Sequence, residues 1–156
     1  MSINKNQLQL LIIRPILKEF EIWSQSAENL LMGTCAQESA MGTYLQQVMG
    51  PAVGIYQMEM PTYYDLWKNS IKQDMKDKIL KKFSDIDKGA DPKRMLIVNL
   101  EYATLMARIK YLICSDPLPE PTDIEGLALY WKEHYNSRLG AGKVDDFIKN
   151  YNRYVK

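Results

Sequence analysis

The sequence predicts a mainly α-helical domain with one short extended segment after the second helix. Two observations predict it. Apolar residues recur at three- and four-residue steps through most of the 156-residue chain, the period of a helix with one buried face. Between residues 41 and 60 that period stops, and Gly42, Gly50, Pro51 and Gly54 appear instead.

Taken in order, residues 5–23 place Leu8, Leu11, Ile12, Ile16, Leu17, Phe20 and Trp23 on one face, and Pro15 predicts a kink or a split. A second helix is expected from a cap at Ser26 to about Ser39, through Leu30, Leu31, Thr34 and Cys35. After the extended segment, Pro61 and Thr62 open a helical region carrying Trp67, Ile71 and Met75, and the lysines of 76–82 read as a solvated face. Asp91-Pro92 starts the longest helix, 92 to about 114, because a capping carboxylate precedes a proline at the first helical position. Its wide apolar coverage marks it as central. Three prolines between Ser115 and Pro121 make a loop, Thr122 with Glu125 reads as a capping box, and that helix ends near Tyr135. A last helix comes after Gly142, with Val144, Phe147, Ile148 and Tyr151 on one side. The whole reads as one domain, 1–156, with residues 1–25 as an N-terminal helical extension.

Composition is that of an ordinary globular protein, 46% apolar and 25% charged. A net charge of +1 supplies no bulk field for nucleic acid or an anionic membrane, so neither partner is expected. No apolar run approaches the roughly 20 residues of a spanning helix. Leu8 to Ile13 is too short for a secretory signal, so the expectation is synthesis in the cytoplasm without one. Cys35 and Cys114 both lie in apolar helical patterns and read as two reduced core thiols, with a disulfide left open. His134 is the only histidine, which removes most zinc sites and nucleophile–base triads.

Glu38 stands at the expected end of an otherwise apolar helix, one turn from Leu31, Thr34 and Cys35. Desolvation there raises a carboxyl pKa, as a general acid working near neutrality requires, although a surface glutamate at a helix end has the same local sequence. The residues downstream strengthen the case for an acid. Sixteen residues after Glu38-Ser39 comes Gly54-Ile55-Tyr56-Gln57, and then Pro61-Thr62. Near the end of the chain stand Tyr135-Asn136, Gly140, Gly142 and Lys143-Val144, and the long helix closes on Tyr111-Leu112.

This order resembles the soluble lytic transglycosylases and goose-type lysozymes of the lysozyme superfamily, over about residues 27 to 150. In that family the catalytic Glu precedes Ser, a Gly-Leu-Met-Gln element comes at this distance, and a Tyr-Asn pair comes late. The chain departs from the pattern in two places. Residues 40–53, with Tyr44, Gln46 and Gln47, lack the usual Asn-Pro, and Ser137-Arg138-Leu139 is inserted before the glycine.

The resemblance implies a lysozyme-like domain that cleaves the β-1,4 bond between N-acetylmuramic acid and N-acetylglucosamine in peptidoglycan. Glu38 would be its catalytic acid, and Ser39, Gly54, Ile55, Tyr56, Gln57, Tyr135 and Asn136 its substrate-binding set, with no metal or cofactor implied. Gly54 would let the chain pass close to sugar, Gln57 would bond sugar hydroxyls or N-acetyl groups, and Tyr135 would orient Glu38 or the substrate. Tyr44, Tyr56, Tyr63 and Tyr64 would offer stacking faces, while Trp23 and Trp131 read as core or half-core.

Glu59 is a possible second carboxylate. It is a water-activating base if the reaction is hydrolysis, and an exposed residue on a short strand if the substrate's own 6-hydroxyl attacks. Transglycosylase, muramidase and an inactive lysozyme-like module all stay open, as does an unrelated helical interaction protein. The missing signal suggests a phage setting, with the protein carried in the virion or released through a holin, and phage structural proteins as partners. Specialised bacterial secretion would account for it equally.

Overall fold

A computed structural model describes residues 1–137 and 139–156; Arg138, within the expected insertion, lies outside the described residues. The chain is mainly helical, and among the described residues pairing of extended backbone is limited to two isolated antiparallel bridges, Gln46 with Val53 and Val53 with Met58. Among the described residues no helix is long and apolar enough to cross a membrane.

The N-terminal helix is neither split nor set apart. It runs from Lys5–Gln7 through a π-helical stretch, Leu8–Ile13, into Arg14–Glu19. Pro15 lacks an amide proton and its ring crowds the carbonyl four residues back, and the wider π turn before it accommodates both defects. Leu8, Ile13, Ile16 and Leu17 are fully buried, so this segment packs into the core.

The second helix, Gln25–Ser39, is capped by Ser24, not Ser26: Ser24 has extended backbone and its Oγ accepts the Ala27 N–H at 3.0 Å. Within it Glu28 is a fully buried carboxylate. It accepts from Arg14 (2.7 and 2.8 Å), Trp23 Nε1 (2.7 Å) and Gln9 Nε2 (2.6 Å). Burial alone would raise its pKa; these donors outweigh burial and hold it down at about 2. The network ties the N-terminal helix to the helix that carries Glu38.

The helix expected over 92–114 is two. Asp91 caps Pro92–Val98 by accepting the Lys93 N–H at 3.0 Å, as its sequence suggests. Asn99 then turns extended, and its Oδ1 accepts the Tyr102 N–H at 3.0 Å to start Leu100–Leu112. A short amide side chain that bonds the backbone ahead of it competes with continued helix. The Leu100–Leu112 helix is central as expected: every residue from Tyr102 to Ile109 is buried.

Asp123, not Thr122, caps Ile124–Trp131, accepting the Gly126 N–H at 2.9 Å. That helix widens into a π-helical stretch, Lys132–Asn136. The last helix, Val144–Tyr154, packs on Gln25–Ser39, where Gly33 makes room for it. A Cβ at Gly33 would stand 2.3 Å from the Phe147 ring. Both cysteines are free; Cys35 is buried, whereas Cys114 is only half-buried in the loop after Leu112, which corrects the reading of two core thiols.

Candidate active site

Glu38 sits one residue before the end of the Gln25–Ser39 helix, on the wall of a cleft of about 470 Å³. The chain leaves the helix through three successive residues with left-handed backbone, Ala40 (φ 49°), Met41 (φ 54°) and Gly42 (φ 73°). Left-handed conformations at alanine and methionine cost about 1–3 kcal/mol each and persist only where surrounding contacts hold them. Here those contacts are the Ala40 N–H on the Cys35 carbonyl and the Gly42 N–H on Ser39 Oγ at 2.9 Å.

The Glu38 carboxyl accepts the indole N–H of Trp131 at 2.8 Å. Burial is the largest influence on it and raises its pKa. The Trp131 bond and the Lys110 charge pull the other way, and the balance leaves it at about 7. Trp131, which reads from sequence as a core or half-core residue, is buried against Phe147 with ring centroids 5.4 Å apart, yet its one polar atom serves the carboxyl.

Lys110 was not singled out by sequence. Its Nζ donates to the Tyr135 carbonyl at 2.7 Å and lies 3.7 Å from that ring's centroid. Burial lowers its pKa to about 8, against the opposing pull of Glu38 and Glu59. Lys110 therefore lies within electrostatic reach of both carboxylates. Gln57, Glu59, Thr62, Asn136 and Ser137 complete the cleft's polar wall around them, with Gln47 and Glu133 beside them.

The expected substrate-binding residues divide into two groups. Gln57, Asn136 and part of Tyr135 line the cleft with Glu38 and Glu59. The Gln57 side-chain amide is engaged by backbone, donating to the Gly54 carbonyl at 2.8 Å, and the residue itself has φ 46°. Asn136 Oδ1 accepts from Lys132 Nζ at 2.9 Å.

Ser39, Gly54, Ile55 and Tyr56 lie beneath the cleft, buried. Ser39 Oγ reaches the Ile55 carbonyl at 2.7 Å, and Tyr135 donates its hydroxyl proton to the Tyr56 carbonyl at 2.8 Å rather than to Glu38. The Tyr56 hydroxyl lies 3.2 Å from that of Thr104 on the central helix. These residues thus fasten the 41–60 segment to three helices, and that segment carries Gln57 and Glu59 into the cleft. Gly54 is required for a reason other than sugar: its φ is 77°, and a Cβ there would lie 2.3 Å from the Leu96 carbonyl oxygen. Of the expected stacking tyrosines, Tyr56 and Tyr63 are buried and Tyr44 and Tyr64 are exposed.

Compared with protein-family models, with curated proteins and with solved structures, the chain matches none.

Proposed function

We propose that this chain cleaves the glycan of peptidoglycan, through a lysozyme-like arrangement in which Glu38 is the general acid. The observation that carries the reading is the state of Glu38. Its carboxyl is kept protonated up to about pH 7 by burial, oriented by Trp131, and open to a cleft of polar side chains. A glycosidic oxygen needs a proton as its bond breaks, and a carboxylic acid with a pKa near ambient pH donates it most effectively. The carboxylate left behind is stabilised by the Trp131 N–H and the Lys110 charge, and it then takes a proton from the attacking group.

A lytic transglycosylase needs no further carboxylate, because the muramic acid 6-hydroxyl attacks and an anhydro ring forms. Glu59 in the same cleft favours a second reading, hydrolysis, with Glu59 activating water. The motif order Glu38-Ser39, Gly54 to Gln57 and Tyr135-Asn136 supports the first, and a phage particle remains the proposed setting.

Purified sacculi digested with the protein should release 1,6-anhydromuropeptides, each lighter by one water than a hydrolysis product, as read by mass spectrometry. Glu38→Gln should lower the rate by at least about a hundredfold. Under this reading Glu59→Gln is near neutral; under hydrolysis it costs nearly as much as Glu38→Gln and the products carry a reducing end. A wild-type protein that leaves sacculi intact would refute both, and leave a non-catalytic structural or interaction module.

A further inference from the structure

Cys114, Asp116 and His134 are brought together at the end of the Glu38 cleft, and His134 lines both that cleft and an adjoining hollow that holds the other two. Cys114 Sγ lies 3.4 Å from His134 Nε2, and Asp116 Oδ2 lies 3.3 Å from the same nitrogen. All three donor atoms fall within 4.8 Å of one another.

Two atoms able to ligate a metal therefore flank one ring nitrogen. One N–H cannot point at both the sulfur and the carboxylate. If Nε2 instead accepts the thiol proton, its lone pair is already committed and it has no proton to give Asp116. A cation between the three atoms satisfies all of them at once.

The two distances from Nε2 also fit a particular class of ion. With Zn–S near 2.3 Å and Zn–N and Zn–O near 2.0 Å, a tetrahedral centre sets sulfur and nitrogen about 3.5 Å apart, and nitrogen and oxygen about 3.3 Å apart. Mixed sulfur, nitrogen and oxygen donors are those of zinc, whereas calcium and magnesium take oxygen.

The surroundings hold the donors in place. The Asp116 N–H donates to Cys114 Sγ at 3.3 Å, which fixes the sulfur's position relative to the loop. Tyr130 packs its ring 4.4 Å from that of His134 and donates its hydroxyl proton to the Asp116 carbonyl at 3.0 Å.

We propose that Cys114, Asp116 and His134 bind a zinc-type divalent cation, with its fourth coordination position open to the hollow beside the cleft. The cation fastens the loop after Leu112 to the π-helical stretch Lys132–Asn136, and so braces the wall formed by Tyr135 and Asn136. Three protein donors and an open position are the coordination of zinc centres that accept an exchangeable ligand.

The purified full chain, titrated with cobalt(II) in place of zinc, should bind one equivalent and develop a thiolate-to-cobalt charge-transfer band. Zinc should bleach that band by displacement. The band should vanish in Cys114→Ser and persist in Cys35→Ala, since Cys35 is fully buried elsewhere. With free zinc at a hundred times its Kd, the unfolding constant should fall about a hundredfold, a melting-temperature rise of roughly 5–10 °C. His134→Gln should remove that rise. Asp116→Asn alters an exposed side chain that cannot disturb the core, and should weaken zinc by more than the roughly 10–100-fold cost of losing an outer-shell partner. A wild-type protein without the band, a band that survives Cys114→Ser, or a zinc-induced rise unchanged in His134→Gln would each overturn the site.

Discussion

Glu38→Gln should make the protein more stable at pH 8 and leave its stability unchanged at pH 4. The Glu38 carboxyl titrates near 7 in the folded chain against an ordinary value of 4.5, so the folded state binds its proton more tightly than the unfolded state does. A raised carboxyl pKa contributes nothing adverse below about pH 4.5. Between 4.5 and 7 the unfolded chain ionises first, and stability declines until the folded group ionises as well. The difference of 2.5 pH units, at 1.36 kcal/mol each, comes to about 3 kcal/mol by pH 8.

Glutamine keeps the shape and still accepts the Trp131 N–H, but it carries no charge to desolvate, so that penalty disappears. Urea denaturation of both proteins at pH 4, 6 and 8 reads the difference directly, provided each unfolds in two states. The midpoints should coincide at pH 4 and separate progressively, with the variant ahead. A constant offset across the range, or a variant less stable at pH 8, would refute the account of Glu38 as a carboxyl held protonated by burial. The experiment does not depend on any substrate.

The same physics sets three further outcomes. Glu28→Gln should show the opposite pattern: about 3 kcal/mol lost at pH 7, fading as pH falls from 4.5 toward 2, because Glu28 is held near 2 by its donors. Acid titration of the two midpoints checks it, and a pH-independent loss would contradict it. Trp131→Phe removes a hydrogen bond to a charged group, typically 1.5–3 kcal/mol, so the Glu38 pKa should rise by roughly 1–2 pH units. Carboxyl-carbon NMR of Glu38, or the alkaline limb of the rate profile, should move up and not down. Gly54→Ala should destabilise by at least about 2 kcal/mol, since a left-handed backbone and a clash with the Leu96 carbonyl add. A variant that melts normally but no longer binds glycan oligomers would instead restore the sugar-facing role expected from sequence.

Much of the helical framework was legible in the sequence because amphipathic periodicity is a local property. A buried face recurs every three to four residues whatever the helix packs against, and the Asp91-Pro92 cap is complete within two residues. The end of the second helix at Ser39 and the break at 41–60 were legible for the same reason, through glycine and proline. Caps were harder where several short polar residues compete. Ser24 and Ser26, or Thr122 and Asp123, differ in which side chain meets the free amides of the first turn, and that depends on how the preceding chain enters the helix. Asn99 was hidden inside a periodic run, because its side chain ends one helix and starts the next without breaking the apolar pattern.

From sequence alone, Glu38 ends an apolar helix ahead of a glycine-broken segment, and Gln57, Glu59 and Tyr135-Asn136 are candidates through a resemblance in motif order. What each of them does emerges only from the folded chain, because those roles are set by neighbours far away in sequence. Trp131, 93 residues after Glu38, supplies its hydrogen bond, and Lys110 supplies its charge. Tyr135 spends its hydroxyl on the Tyr56 carbonyl, and Ser39 spends its own on Ile55. Cys114 and His134 are twenty residues apart, which hides their pairing from any spacing rule, yet folding leaves their donor atoms 3.4 Å apart. Desolvation and hydrogen bonding act over a few ångströms in space, and residues close in space need not be close along the chain.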